Sequence, residues 1–165
     1  MNPFRRNSVA YRPWNDSSFR QFLKKSANRI EPERAYMLLN ALEACLSFDG
    51  QVCECGVYKG ASAYLMGYLI KRKAPDKTLW LYDTFSGTPD STANDPIERH
   101  GLYHDTSIAA VRNHLKDIRI RLEIVPGLLP ESLAANRPEH LCFAHLHLNL
   151  YKSTVETLGA IWDLI

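Results

Sequence analysis

The sequence has no apolar stretch approaching the roughly eighteen residues that a membrane-spanning helix needs. Arg5, Arg6 and Arg12 near the N-terminus have no apolar run behind them either. Neither a membrane span nor a secretory leader is expected, and a soluble, cytoplasmic location follows. Charge of one sign is equally scarce: twenty Lys and Arg stand against eighteen Asp and Glu, for a net +2, and no five successive residues carry one sign. That leaves no electrostatic footprint for nucleic acid or a membrane surface, and favours a small, weakly charged partner. Cysteine occurs only as Cys45, Cys53, Cys55 and Cys142. The Cys53-x-Cys55 spacing is one residue shorter than the usual zinc pair and no second pair follows, so free thiols packed as small hydrophobes are expected. Internal repeats, low-complexity tracts and the fingerprint G-x-G-x-x-G are also lacking, the last arguing against a nicotinamide-dependent oxidoreductase. What is there, 165 residues with 45% hydrophobic side chains, suffices for one core that buries roughly 70% of the unfolded surface.

Residues 1–15 carry Pro3 and Pro13 among polar side chains with no sustained period, and read as an arm or irregular cap. Asp16 or Ser17 then caps a helix to about Asn28, and Glu31 to Leu46 forms a second, with Ala35, Leu38, Leu39 and Leu42 on one face. This N-terminal arm with its cap helices, residues 1–48, precedes a unit at residues 49–165 in which short apolar runs alternate with amphipathic helices. Strands are expected at Val52 to Gly56, Thr78 to Asp83, Ile120 to Val125 and Leu141 to Leu148. Helices are expected at Gly60 to Lys73, with Ala61, Tyr64, Leu65, Tyr68 and Leu69 on one face, at Asp105 to Asp117, and briefly at Glu131 to Asn136. A last helix begins at Ser153, which can form a capping box with Glu156. Strand and helix in strict alternation predict an α/β fold: a parallel sheet with right-handed crossovers and helices on both faces.

The 21 residues from Thr84 to His104 break that economy. Asp90, Ser91, Thr92, Asn94, Asp95 and Pro96 make its centre polar and turn-rich. A connection this long, leaving the C-terminal end of a strand, reads as a lid over a ligand rather than a plain link.

Two motifs carry the chemistry. In Glu54-Cys-Gly-Val-Tyr-Lys-Gly60 a strand runs into E-x-G-x-x-x-G and then directly into a helix. Gly56 permits a tight turn, Gly60 lets backbone approach a ligand, and the free N–H groups of the helix start attract an anion such as an amino-acid carboxylate, with Ser62 adding a hydroxyl. Glu54 can accept from a ligand's ammonium or order the loop; the glycines alone would also serve a simple strand-to-helix turn. Asp83 closes the next strand 29 positions later. An acid there can accept both hydroxyls of a ribose across the same crevice, although such a residue elsewhere often caps a helix or turn.

Residues Glu54 to Ala63, Asp83-Thr-Phe-Ser-Gly-Thr-Pro89, Asp105-Thr-Ser107, Val125-Pro-Gly127, Leu129 to Leu133 and Phe143 to Thr154 occur in an order that resembles the macrocin O-methyltransferase (TylF/MycF-type) family. The resemblance runs from about Glu31 to the end. It implies a Rossmann-like three-layer α/β/α fold and S-adenosylmethionine as methyl donor. It implies a donor site at Glu54, Gly56, Val57, Tyr58, Gly60 and Ser62, with Asp83, Thr84 and Phe85 opposite and Gly127 along the adenosine. The implied activity is methyl transfer to a hydroxyl of a sugar-bearing or other small metabolite.

The third motif departs from the family. Where members commonly carry an Asp that helps bind a divalent cation and orients the acceptor hydroxyl, this sequence has His147, and Asn149 stands where a second Asp is frequent. A later Asp-Asp pair that completes the metal site has no counterpart before Ile165. Magnesium therefore fits the family better than it fits this chain. His147, as a neutral imidazole, can serve as a general base, while both His145 and His147 can equally be hydrogen-bonded strand residues without a chemical role.

The final helix carries Val155, Leu158, Trp162 and Ile165 on one stripe and has no C-terminal capping signal. The expectation is a Rossmann-like unit truncated after its fourth strand and helix, leaving that strand as an apolar edge for another chain, as in a homo-oligomer, to cover. The alternative to an enzyme is a catalytically silent S-adenosylmethionine-binding or interaction domain.

Overall fold

The computed structural model describes residues 12–26, 30–89, 92–95 and 101–165. Helix α1 (Ser17–Lys25) starts where Asp16 accepts the backbone N–H groups of Ser18 and Phe19, the cap expected from the sequence. Its last residue is Lys25 and it is capped by Ser26, whose hydroxyl donates back to the Leu23 carbonyl; the rest of the expected span, to about Asn28, lies outside the described residues. Helix α2 (Pro32–Cys45) follows with proline in its first turn, where a lost N–H costs nothing.

The sheet consists of β1 (Gln51–Cys55), β2 (Thr78–Asp83), β3 (Arg121–Pro126) and β4 (Leu141–Leu146), with α3 (Ala61–Lys73), α4 (Ile108–Leu115) and α5 (Glu131–Ala135) between them and α6 (Tyr151–Trp162) last. All pairings are parallel and the spatial order is β3-β2-β1-β4. The chain thus builds outward from β1 in one direction, then returns to place β4 on the other side of β1. That reversal opens a crevice at the C-terminal ends of β1 and β4.

Alternation along the strands sends side chains to two layers. Val52, Leu79 and Leu81 pack with Leu42, Met66, Ile70 and Val111 on the α2/α3/α4 face. Cys53, Cys55 and Tyr82 pack with Leu133 and Ile161 on the α5/α6 face. All four cysteines are free thiols, three of them buried. Burying both faces of a parallel sheet explains why its strands read as continuous apolar runs. A third cluster, Leu23, Ala35 and Leu65, joins α1 and α2 to the back of α3.

Three expected details differ. The buried face of α3 is Ser62, Ala63, Met66, Gly67 and Ile70 with Leu65, whereas Tyr64, Tyr68 and Leu69 are only half-buried; a helix sandwiched between the sheet and other helices has no single apolar stripe to read. Helix α4 begins at Ile108 behind a Ser107 cap rather than at Asp105, because Asp105 is engaged elsewhere. Helix α6 begins at Tyr151, not Ser153, and no Ser153–Glu156 box forms. Its first N–H is instead received by Asp95 from the long connection. The stripe on α6 faces outward: Tyr151, Val155, Leu158, Trp162 and Ile165 are exposed while Thr157, Ile161 and Leu164 are buried. Among the described residues β4 pairs with β1 alone, and no helix is long and apolar enough to cross a membrane.

Candidate functional site

An open cleft of about 800 Å³, counting space that communicates with solvent, lies at the C-terminal ends of the strands. Each strand contributes a wall: Gly56 after β1, Asp83 and Thr84 from β2, Gly127 and Leu128 after β3, and His147 to Asn149 after β4. The long connection adds Thr88, Pro89 and Tyr103.

The turn after β1 depends on two glycines for different reasons. Gly56 has φ +89°, and a Cβ there would lie 2.5 Å from the His147 carbonyl oxygen, so the ends of β1 and β4 can meet only over a bare Cα. Gly60 has φ +81°, but the nearest atom to a Cβ is a Val111 methyl at 3.5 Å. Its need is conformational, and it does not line the cleft.

Asp83 ties the two loops together. Its Oδ2 accepts the backbone N–H groups of Val57 (2.7 Å) and Tyr58 (2.8 Å), and its Oδ1 accepts that of Phe85 (2.8 Å). A carboxylate offers about four acceptor directions, so one remains on Oδ1. Val57 and Phe85, expected as ligand contacts, act here through their N–H groups; Val57 is buried in the core.

Glu54 and Ser62 also lie apart from the cleft lining. Glu54 is fully buried, and its Oε1 accepts the Ser62 hydroxyl and stands 3.1 Å from Nδ1 of His145. Ser62 is therefore turned inward, with its hydroxyl spent on Glu54. Of the eleven residues proposed from the sequence, the structure brings Gly56, Tyr58, Asp83, Thr84, Gly127 and His147 to the cleft and leaves Glu54, Val57, Gly60, Ser62 and Phe85 behind it.

His147 is exposed on one side and crowded on the other. Loss of hydration on the crowded side, and secondarily the neighbouring His145, hold its pKa below the ordinary imidazole value, with Glu54 opposing. It is thereby kept neutral at physiological pH, the form in which an imidazole accepts a proton. His147 and Asn149 are an imidazole and a carboxamide, and among the described residues no three His, Cys, Asp or Glu side chains converge. These donors do not suit magnesium, which favours carboxylate and water oxygens.

One part of the site was not foreseen. Tyr58 donates from its hydroxyl to Asp105 (2.7 Å), Lys59 pairs with the same carboxylate, and the Thr106 hydroxyl donates to the Tyr58 carbonyl (2.5 Å). The Tyr103 ring meets Tyr58 edge-on at 5.1 Å. This latch joins the turn after β1 to the end of the long connection. The hydrogen bond from Lys59, then that from Tyr58, holds Asp105 down to about 2. The signal was present in the sequence as an acid at the end of the long connection and a Lys in the glycine turn, but nothing in the spacing pairs them. The connection itself is closed at its base, where Thr88 and Leu102 exchange hydrogen bonds and the Gly101 N–H donates to the Thr88 carbonyl. The expected lid's centre at Asp90, Ser91 and Pro96 lies outside the described residues.

Sequence and structure comparisons converge. A model of the macrocin O-methyltransferase (TylF) family matches residues 30–165. The chain is similar to demethyldecarbamoylnovobiocin O-methyltransferase of Streptomyces niveus, 27% identical over 99% of this chain and 70% of the relative. It is also similar to mycinamicin III 3''-O-methyltransferase of Micromonospora griseorubida, 27% identical over 73% of this chain and 55% of the relative. The solved structure of the O-methyltransferase NovP superposes with a TM-score of 0.66 at 22% identity, over 76% of this chain and 59% of that one, a likeness that concerns the fold.

Proposed function

The chain belongs to the macrocin O-methyltransferase family, and from that premise we propose that it forms the S-adenosylmethionine-binding part of an enzyme that methylates a hydroxyl of a sugar-bearing or other small metabolite. The observation that carries this reading is the cleft at the β1/β4 reversal, with the spare acceptor direction of Asp83 on one wall and His147 on the other. When bound, the donor supplies an electrophilic methyl group: the sulfur–carbon bond breaks, an oxygen–carbon bond forms, and the departing electron pair stays on sulfur. The chain's residues do the rest. Asp83 Oδ1 receives a ribose hydroxyl while its other contacts fix both loops, Gly127 and Leu128 form the wall along the adenosine, and Tyr58 with Tyr103 walls off water. His147, held neutral, takes the proton that the acceptor hydroxyl loses. Holding acceptor and donor in line is the larger part of the acceleration. No step runs through a metal, since the side chains at the family's metal position do not fit one.

Isothermal titration calorimetry tests the reading. S-adenosylmethionine or its demethylated product should bind and NAD should not, and Asp83→Ala should weaken binding by roughly 1–3 kcal/mol through loss of a charged hydrogen bond and of loop order. Binding of NAD in preference, or an affinity indifferent to Asp83, would remove this function.

A further inference from the structure

Glu54 and His145 have no part in the reaction just described, yet among the described residues Glu54 is the only acid with no exposed surface. Its Oε1 receives the Ser62 hydroxyl and stands 3.1 Å from His145 Nδ1, while its Oε2 has no partner among the described residues. Burying a carboxylate with one oxygen unpaired opposes folding, so an apolar residue would serve the core better. An ionised carboxylate can only accept, so Nδ1 of His145 carries the proton and, in the neutral ring, Nε2 is left as the acceptor.

His145 lies on β4 and His147 directly follows the strand's end, two residues on. Their rings lie 5.8 Å apart at 44°, and of the two only His147 lines the cleft. The His147 backbone is fixed independently, its N–H donating to the Cys55 carbonyl at 2.8 Å. What remains free is its ring, and the ring beside it is the one Glu54 holds.

We propose that Glu54 is a positioning residue rather than a donor ligand: it fixes the tautomer and orientation of His145, and His145 braces His147 at the wall of the cleft. The charged groups around this pair are Glu54 from β1 beneath it and Arg34 from α2 beside it. The part that concerns catalysis rests on the proposed methyl transfer; the bracing itself does not.

The experiment uses the 165-residue chain labelled with ¹⁵N, as wild type, Glu54→Gln and Glu54→Met. Imidazole ¹H–¹⁵N spectra should report Nδ1-protonated His145 in the wild type, with ring-to-ring NOEs to His147. Glu54→Gln retains an acceptor oxygen and should keep both signatures. Glu54→Met, of similar size but unable to accept, should lose the tautomer preference and displace the His147 ring signals. Affinity for S-adenosylmethionine should stay within about twofold in both variants, whereas loss of a direct charged contact would cost about tenfold or more. Wild-type His145 protonated on Nε2, unmoved His147 signals in a folded Glu54→Met, or a tenfold loss of donor affinity in a folded Glu54→Gln each overturns the proposal. If Glu54→Met does not fold, the wild-type tautomer and NOEs decide. If the wild type binds no S-adenosylmethionine, the proposed function fails while the imidazole spectra still judge the bracing.

Discussion

Glu54 and Asp83 occupy the neighbouring strands β1 and β2, where Glu54 faces Leu81, two positions before Asp83, and both invite the same reading as acids that meet a ligand. Their surroundings divide them. Glu54 points into the α2/α3 layer, where two side-chain partners crowd one oxygen and water is excluded. Asp83 sits one residue beyond the last β1/β2 pair, where three backbone N–H groups surround it and the cleft begins. An acid inside the layer organises other side chains; an acid at its edge organises loops and keeps a direction for a ligand. The lesson is that the depth of a strand-end carboxylate in the sheet, by a residue or two, separates an internal brace from a binding group.

The turn at Gly56 separates these two environments, so the largest effect is expected there. In Gly56→Ala a methyl group would meet the His147 carbonyl oxygen at 2.5 Å at φ +89°. Left-handed strain of about 1–2 kcal/mol adds to a clash with backbone that cannot turn aside, for a loss of about 3 kcal/mol or more in urea unfolding. Gly60→Ala carries only the strain, because its methyl finds ordinary contacts, and should cost about 1 kcal/mol. Equal losses in the two variants would mean that the close approach of β1 and β4 is not what Gly56 provides.

A smaller change sharpens the comparison on the Asp83 side. Asp83→Asn keeps one accepting oxygen but aims an NH2 group at one set of backbone donors. Stability should fall by about 1–2 kcal/mol, and backbone amide exchange should accelerate at Val57 and Tyr58 or at Phe85, according to which side the amide nitrogen faces. Exchange unchanged at all three would detach Asp83 from the loops.

The sequence announces most of the fold because each strand is a short apolar run bounded by turn residues, and β2 is found at its expected bounds. Local caps at Asp16 and Ser107 are legible or nearly so for the same reason: donor and acceptor lie within three residues. The start of α6 is not, since Ser153 offers a local cap but Asp95, 56 positions away, supplies the acceptor. The same non-locality hides the site's wiring. E-x-G-x-x-x-G identifies the turn, yet whether Glu54 faces a ligand or Ser62 and His145 depends on packing from α3 and β4. Asp83 shows the converse: its place at the cleft follows from the strand end, but the filling of its Oδ2 by the N–H groups of Val57 and Tyr58 appears only once the strands are side by side.

The smallest effect is expected at the latch, where a third carboxylate, Asp105, stands in the open. Its pKa is held down to about 2 from 3.8 by Lys59 and Tyr58, and that of Lys59 is raised above 10.5 by Asp105 and then Tyr58. For the acid, a folded pKa below the unfolded one contributes stability above pH 3.8 that is lost as pH falls through about 2. For the amine, the raised pKa contributes stability below pH 10.5 that is lost as pH rises through the shifted value. Between these limits the latch is closed, but both groups are reached by solvent and salt, which leaves an exposed ion pair little weight in global stability. Asp105→Asn should therefore leave the urea midpoint unchanged within error. What it should change is local opening: trypsin should cut after Lys59 severalfold faster than in the wild type at low salt, with the difference narrowing in about 1 M salt, where the screening length is near 3 Å. The same cleavage rate in both proteins at low salt would mean that the turn after β1 is held by Asp83 alone, and that the latch contributes nothing to the wall it forms over the cleft.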